Sequence, residues 1–136
     1  MAALDPLALG LPHREPFVFV DEVTELTPGE SAMGWKRFPA SEPFFRGHFP
    51  GDPLVPGVIL TEALAQIAGI AAGVKDTPLR LTAIKAMKFL AAVRPDEVVT
   101  LQARKLGAVG GLWQFEVRAK VGENAVAEGA VVLSEV

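Results

Sequence analysis

The sequence predicts an α+β domain in which about six antiparallel strands surround one long apolar helix. The first observation is the stretch 56–73, which is hydrophobic on nearly all sides when drawn as a helix. The second is the alternation of apolar and polar residues in 99–104 and 113–121, which is typical of half-buried antiparallel strands. The glycine pair Gly110–Gly111 separates these two runs and predicts a tight turn between them. One helix and a meandering sheet indicate the α+β class.

The other elements follow from local residue types. Residues 1–15 contain Pro6, Gly10 and Pro12 and predict an N-terminal turn or short helix. Runs rich in β-branched, aromatic or alternating residues predict strands at 17–26, 31–38, 79–90, 99–104, 113–121 and 125–133. Glycine- and proline-containing turns are expected at 28–29, 110–111 and 122–124.

Composition narrows the class of protein. A chain of 136 residues, 50% of them hydrophobic and 21% charged, is long enough for one globular domain spanning 1–136. The net charge of −3 and the absence of a concentrated basic face argue against nucleic-acid binding. There is no cysteine, and only two histidines are present, so neither a metal site nor any other cofactor is expected. Residues 1–10 lack the basic start of a signal peptide, and polar residues interrupt the apolar helix, so a cytoplasmic protein outside the membrane is expected.

Residues 46–66 place a stiff loop directly before the apolar helix. Prolines restrict the loop at positions 50, 53 and 56, and glycines let it turn at positions 47, 51 and 57. The loop carries His48, and the helix carries Glu62 and Gln66 one turn apart on one face. No other stretch places two titratable groups so close to so much apolar surface.

This segment resembles the active-site segment of the hot-dog-fold 3-hydroxyacyl-[acyl carrier protein] dehydratases of the FabZ type. The matching runs here are Gly47–Gly51, Pro53, Pro56–Val58, Glu62–Ala63 and Ala65–Gln66. Further matches lie at Leu11–Arg14, Pro16–Phe17, Val20–Asp21, Glu42–Phe45, Ile84–Lys85, Lys88–Phe89 and Val93–Pro95, so that nearly the whole chain is covered. The resemblance implies a sheet wrapped round the helix, with a second subunit beside it. It also implies dehydration of (3R)-3-hydroxyacyl-[acyl carrier protein] to trans-2-enoyl-[acyl carrier protein], in fatty acid or related polyketide biosynthesis.

Such a reaction needs a base, an acid and a group that stabilises negative charge on the thioester oxygen. His48 suits the base, because imidazole changes charge near neutral pH. Glu62 suits the acid, because burial in apolar surroundings favours the protonated carboxyl group. The backbone N–H groups of Gly57 and Val58 begin the helix, where developing negative charge is favoured. Gln66 is expected to orient the carboxyl group of Glu62.

Three aromatic residues are further candidates for substrate binding. Phe44 and Phe45 precede the loop, and lining an acyl channel and packing in the core are equally weighted interpretations. Phe49, next to His48, is grouped with them. His13 is interpreted as a loop residue that hydrogen-bonds the backbone rather than as a chemical group.

Two other functions remain open. One is a hot-dog thioesterase, in which the acidic helix residue would activate water. The other is a non-catalytic acyl-binding or assembly subunit, against which the presence of both His48 and Glu62 argues. FabA-type relatives, which also isomerise the double bond, carry Asp at the helix position, so Glu62 favours simple dehydration.

The resemblance also implies two kinds of partner. One is an acyl carrier protein with its phosphopantetheine-linked substrate, for which the candidate docking cations are Lys36, Arg37, Lys85, Lys88, Arg94 and Arg104. The other is the chain itself, as a homodimer within a trimer of dimers, with His48 of one chain facing Glu62 of the other. A helix without a polar stripe independently favours a covering partner. The chain departs from the family pattern at Glu15, which concerns local packing. It also has Leu90–Ala91 in place of a basic pair and Asp96 in place of glycine, so a basic contact is missing and weak, salt-sensitive docking is expected.

Overall fold

A computed structural model describes residues 3–74 and 76–135, and within them one α-helix lies against one six-stranded sheet. The strands are β1 (Glu22–Thr27), β2 (Ser31–Arg37), β3 (Leu79–Phe89), β4 (Val98–Val109), β5 (Leu112–Val121) and β6 (Asn124–Glu135). The α-helix is α1 (Gly57–Ala72), and a short 3-10 helix spans Pro43–Arg46. All neighbouring strands are antiparallel, in the order β1-β2-β4-β5-β6-β3. The predicted α+β class and hot-dog architecture are confirmed, since α1 packs against the sheet formed by β2, β3, β4, β5 and β6.

The helix α1 matches the prediction for 56–73 almost residue for residue. Pro56 occupies the N-cap position, and Gly73 ends the helix with a left-handed φ of 71°. The N–H of Gly73 donates to the carbonyl of Ile70 at 3.1 Å, which satisfies one terminal acceptor. Eleven of the sixteen helix residues are buried, whereas Val58 in the first turn is 75% exposed. One chain therefore covers the helix along most of its length but leaves its N-terminus open.

The first predicted strand begins later than expected. Residues 17–21 lie outside the sheet ladder, and β1 starts at Glu22. The run Val18–Val20 is buried at every residue, so it lacks the alternation of a half-buried strand. Side chains rather than a strand ladder hold this segment: Gln66 of α1 bonds the backbone of Phe17 and Phe19, and Lys36 of β2 donates to the carbonyl of Val18. The N-terminal segment forms turns at 6–10 rather than the alternative short helix.

The two edges of the sheet differ. Along β1, Leu4 forms a bridge with Val23 through two backbone hydrogen bonds of 2.8 and 2.9 Å. At the other edge, β3 pairs only with β6 among the described residues, and its 11 residues leave a free row of backbone groups. The expected alternation in β3 is interrupted by two irregularities in register, and Ala86 takes a positive φ of 50°. Ile84 and Phe89 of this strand are each 51% exposed, so β3 is an open and partly apolar edge.

Candidate active site

The loop before α1 fixes the orientation of the His48 ring. The N–H of Leu54 donates to the carbonyl of His48 at 2.8 Å, and Nδ1 of the ring lies 3.0 Å from the carbonyl oxygen of Leu54. A carbonyl oxygen only accepts, so Nδ1 carries the hydrogen and Nε2 is the bare nitrogen of the neutral ring. The ring also stacks on Phe49 with centroids 4.0 Å apart. His48 therefore presents a bare Nε2, which has no hydrogen-bond partner in the described part of the chain.

Further contacts tie this loop to the segment before β4. Phe49 and Asp52 exchange two backbone hydrogen bonds of 2.8 and 2.9 Å, which close the loop on itself. The N–H of Val55 donates to the carbonyl of Val93, and the Asp52 carboxylate pairs with Arg94 at 2.7 Å. The ion pair is largely exposed and contributes little by itself. The backbone bonds are what hold His48 in place.

The N-terminus of α1 offers two backbone donors. Within the described residues, neither a backbone acceptor nor a capping side chain engages the N–H groups of Gly57 and Val58. A Cβ atom at position 57 would lie 3.0 to 3.1 Å from atoms of the Phe89 ring, so any larger residue would require the ring to shift. These N–H groups lie at the positive end of the helix dipole, where they suit a developing oxyanion.

Glu62 lies one turn further along α1 and is held through one oxygen. Nε2 of Gln66 donates to Oε2 of Glu62 at 3.1 Å, and Nε2 of His13 lies 3.4 Å from the same atom. Gln66 itself is 1% exposed, and its amide bonds both the N–H of Phe19 and the carbonyl of Phe17. The side chain of Glu62 is 20% exposed, so its burial is only partial within one chain.

The interpretation of His13 as a residue that bonds the backbone is wrong. Its Nε2 contacts Glu62, and its buried Nδ1 has no partner among the described residues. Arg14 forms the backbone contacts of this turn instead, because its guanidinium group donates to the carbonyls of Leu11 and His13 at 2.8 and 2.7 Å. Local sequence patterns do not predict this contact, because residues 13 and 62 are far apart along the chain.

Within one chain, His48 and Glu62 line different cavities. His48 borders a cavity of about 340 Å³ with Gly57, Leu60 and Phe89. Glu62 borders another of about 380 Å³, whose lining includes His13, Gln66, Gly69, Leu79, Leu81 and Leu133. At roughly 100° per residue, Glu62 is about 140° around the helix from Gly57, so the two cavities lie on different sides of α1.

The aromatic candidates occupy different surroundings. Phe45 is 5% exposed and packs against Phe44, with ring centroids 4.7 Å apart. Phe44 in turn meets Phe38 in the core, and neither Phe44 nor Phe45 lines the two cavities described above. Phe49 is 49% exposed beside His48. An acyl-binding role for the three residues stays a prediction.

Most of the candidate docking cations have acidic partners. The Lys36 ammonium is largely buried against Asp21 at 3.1 Å, and Arg104 lies 3.1 Å from Glu116. Arg37 and Arg94 pair with Asp96 and Asp52, each at 2.7 Å. Lys85 and Lys88 of β3 form no ion pair with the described part of the chain.

Among the same residues there is no cluster of three or more acidic or histidine side chains suited to a metal ion, and no helix with the length and apolar character to cross a membrane.

Sequence comparison identifies a protein family and several relatives that the chain resembles over most of its length. Residues 11–130 match the family model of the FabA-like domain. A 3-hydroxyacyl-[acyl-carrier-protein] dehydratase FabZ from Ruminiclostridium cellulolyticum is 46% identical over 125 residues, which is 89% of this chain and 88% of the relative. The FabZ of Syntrophotalea carbinolica is 44% identical, over 87% of this chain and 84% of the relative. The FabZ of Clostridioides difficile is 36% identical, over 98% and 97% of the two chains.

Comparison with solved structures agrees on the fold. A chain of the dehydratase heterocomplex ApeI:P from Xenorhabdus doucetiae superposes with a TM-score of 0.81 at 18% identity, over 96% of this chain and 91% of the other. A hypothetical thioesterase with coenzyme A from Streptococcus pneumoniae gives 0.66 at 13% identity, over 85% and 84%. Because a dehydratase and a hypothetical thioesterase share it, the fold does not choose between these reactions. The match of residues 11–130 to the family model and the identity to FabZ relatives favour dehydration over thioester hydrolysis. The chain belongs to the FabA-like family.

Proposed function

We propose that this protein dehydrates 3-hydroxyacyl chains carried by an acyl carrier protein and forms trans-2-enoyl chains in fatty acid biosynthesis. The observation that carries the proposal is the identity of 36 to 46% with FabZ relatives across most of the chain. The tautomer of His48, the orientation of Glu62 and the free helix N-terminus support it. The protein is expected to work in the cytoplasm, in the compartment of the carrier protein that presents its substrate.

The residues divide the reaction between them. Nε2 of His48 removes the proton from C2, next to the thioester carbonyl, and the C–H electron pair forms the C2=C3 double bond. Glu62 gives its proton to the hydroxyl group on C3, which leaves as water as the C3–O bond breaks. The N–H groups of Gly57 and Val58 stabilise the charge that develops on the thioester oxygen. The enzyme is left with a protonated His48 and an ionised Glu62, and exchange with solvent restores both groups.

The active site of this proposal lies between two chains. Since His48 and Glu62 line different sides of α1, a substrate reaching both needs His48 of one chain and Glu62 of another. The open edge of β3 and the exposed side chains of Phe49, Val58, Ile84, Phe89 and Leu90 support such an interface, because a second copy would remove them from water. We propose a homodimer with two shared sites.

Association beyond the dimer forms part of the same proposal. The hairpin joining β4 to β5 exposes Leu106, Val109 and Leu112, with Val109 81% exposed. An apolar hairpin tip of this kind supports contact between dimers, in a trimer of dimers. Light scattering would measure it, since the two assemblies have two and six times the 14.4 kDa of one chain.

The acyl chain and the carrier protein occupy separate surfaces in this proposal. The largely apolar cavity beside Glu62 would take the acyl chain. Phe44, Phe45 and Phe49 would lie near the part of the site that the second chain supplies. Lys85 and Lys88 would attract the acidic carrier protein, because the other candidate cations already have acidic partners. With so few cations, docking should weaken as salt rises.

Two variants test the assigned chemistry. We expect His48→Ala and Glu62→Gln each to lower the dehydration rate by about 10²- to 10⁴-fold, the usual value of a positioned base or acid. The assay follows enoyl absorbance with a carrier-linked 3-hydroxyacyl substrate, and thermal unfolding checks that both variants fold. Release of free thiol without enoyl product would instead identify a thioesterase. Wild-type turnover in either variant would remove that residue from the mechanism.

A further inference from the structure

The Glu62 carboxyl group has two oxygens in different surroundings. Oε2 faces two nitrogen atoms, Nε2 of Gln66 at 3.1 Å and Nε2 of His13 at 3.4 Å. Oε1 has no hydrogen-bond partner among the described residues, and it is not a buried unpartnered atom, so it remains accessible. The proton that this residue gives to the substrate has to be on the accessible oxygen. His13 helps to keep the proton on that oxygen.

The amide of Gln66 has one orientation, which the backbone dictates. A backbone N–H can only donate, so the N–H of Phe19, 2.8 Å from Oε1 of the amide, identifies that atom as the acceptor. The amide nitrogen therefore donates to the carbonyl of Phe17 at 3.1 Å and to Oε2 of Glu62. Oε2 is thus an acceptor of at least one hydrogen bond.

The same reasoning fixes the tautomer of His13. Its Nδ1 is buried without a partner among the described residues. A hydrogen on that nitrogen would be a buried donor without an acceptor, which costs more than the bare acceptor that the other tautomer leaves there. The hydrogen is therefore on Nε2, the nitrogen that lies 3.4 Å from Oε2 of Glu62. Stacking on Phe17, with centroids 6.1 Å apart, and the contacts of Arg14 hold the ring in this position.

We propose that His13 is a positioning residue: its Nε2–H group lies beside Oε2 of Glu62, to which Gln66 donates, and the two groups together keep the carboxyl proton on Oε1, the oxygen that can reach substrate. This inference rests on the proposed function, because it concerns the acid of that reaction. After the proton has left, the same two donors stabilise the carboxylate that remains. His13 touches no reacting atom and acts through Glu62 alone.

A pair of amide variants separates positioning from mere filling of space. In His13→Gln the amide nitrogen lies as many bonds from Cα as Nε2 of histidine, so it can still donate to Glu62. In His13→Asn the amide nitrogen reaches only as far as Nδ1 and cannot. We expect the Asn variant to lose about tenfold in kcat, the size of one hydrogen bond to a carboxyl group, with KM nearly unchanged. The Gln variant should stay within about threefold of wild type, and His13→Leu, which has no donor, replaces the Asn variant if that one does not fold.

A double-variant cycle provides the second measurement. In a Glu62→Gln background, the change of His13 to Asn should leave the residual rate within about twofold, because the group it acts on is already absent. Equal losses in the Gln and Asn variants, wild-type kcat in the Asn variant, or independent losses in the cycle would each overturn the proposal. If the wild-type protein itself forms no enoyl product, the proposed function fails first, and the two failures are thereby distinguished.

Discussion

At the scale of single residues, Asp96 adopts a backbone conformation that few residues other than glycine adopt. Asp96 replaces the glycine expected from the family pattern, and its backbone has a positive φ of 69°. Aspartate tolerates this region better than most residues because its short side chain can bond nearby groups. Here Oδ1 accepts from the N–H of Ala40 at 3.2 Å and from Arg37 at 2.7 Å. The departure from glycine therefore has a local structural reason, and its effect on carrier docking is a separate matter.

This arrangement predicts losses of stability of different size for two substitutions of Asp96. We expect Asp96→Ala to lower the free energy of unfolding by about 1–2 kcal/mol, because alanine keeps the left-handed backbone strain and loses both acceptor contacts. Asp96→Gly loses the same contacts but relieves the strain, so a change of at most about 0.5 kcal/mol is expected. Urea unfolding of both variants measures the difference. A glycine variant that is as destabilised as the alanine variant would show that the contacts, and not the backbone, dominate at this position.

At the scale of elements, the sequence predicted the strongly patterned segments well. The bounds of α1 followed from Pro56, Gly73 and the continuous apolar run between them, and these signals act locally. The strand at 17–26 was misjudged in its first half because a run buried on every side has no period by which to recognise it. Side chains distant in sequence hold that run, among them Gln66, 47 residues from Phe19, and no local pattern contains such contacts.

The face of α1 that carries Glu62 also sets the depth of the adjoining cavity. Gly69 lines this cavity, and a Cβ atom there would meet only Leu133, at 3.9 Å. A larger side chain at 69 would therefore enter the space assigned to the acyl chain. Because the cavity extends along the helix away from Glu62, the end of a long chain should be affected before the reacting carbons.

We expect Gly69→Leu to lower kcat/KM for long acyl chains by at least about tenfold, while four-carbon substrates change little. Gly69→Ala is the matched control, since one methyl group meets no close contact and should leave chain-length preference unchanged. The alanine variant should also raise the free energy of unfolding by about 0.5–1 kcal/mol through its helix propensity. Turnover of a series of substrates of increasing chain length measures the effect. Uniform losses at all lengths in the leucine variant would place the acyl chain elsewhere.

At the scale of the whole molecule, the candidate site was only partly predictable. His48, Gly57 and Glu62 follow from a motif whose residues lie within one short segment. The contact of His13 with Glu62 depends on the turn at the N-terminus packing against α1, which only the tertiary structure provides. The separation of His48 from Glu62 into two cavities likewise depends on which side of the helix each cavity borders. Physical proximity between distant segments is the information that local sequence patterns lack.

That separation leads to the prediction that decides the assembly. His48→Ala and Glu62→Gln are mixed, each inactive alone, under conditions that allow subunits to exchange. In a heterodimer with shared sites, one site receives both intact residues and the other receives both lesions. Random mixing makes half of the dimers mixed, so roughly a quarter of wild-type activity should return. A tagged subunit shows that exchange has occurred, and mixing either variant with itself provides the control. No recovery despite exchange would place both residues of each site in one chain, and a mass of 14.4 kDa at assay concentration would exclude the dimer itself.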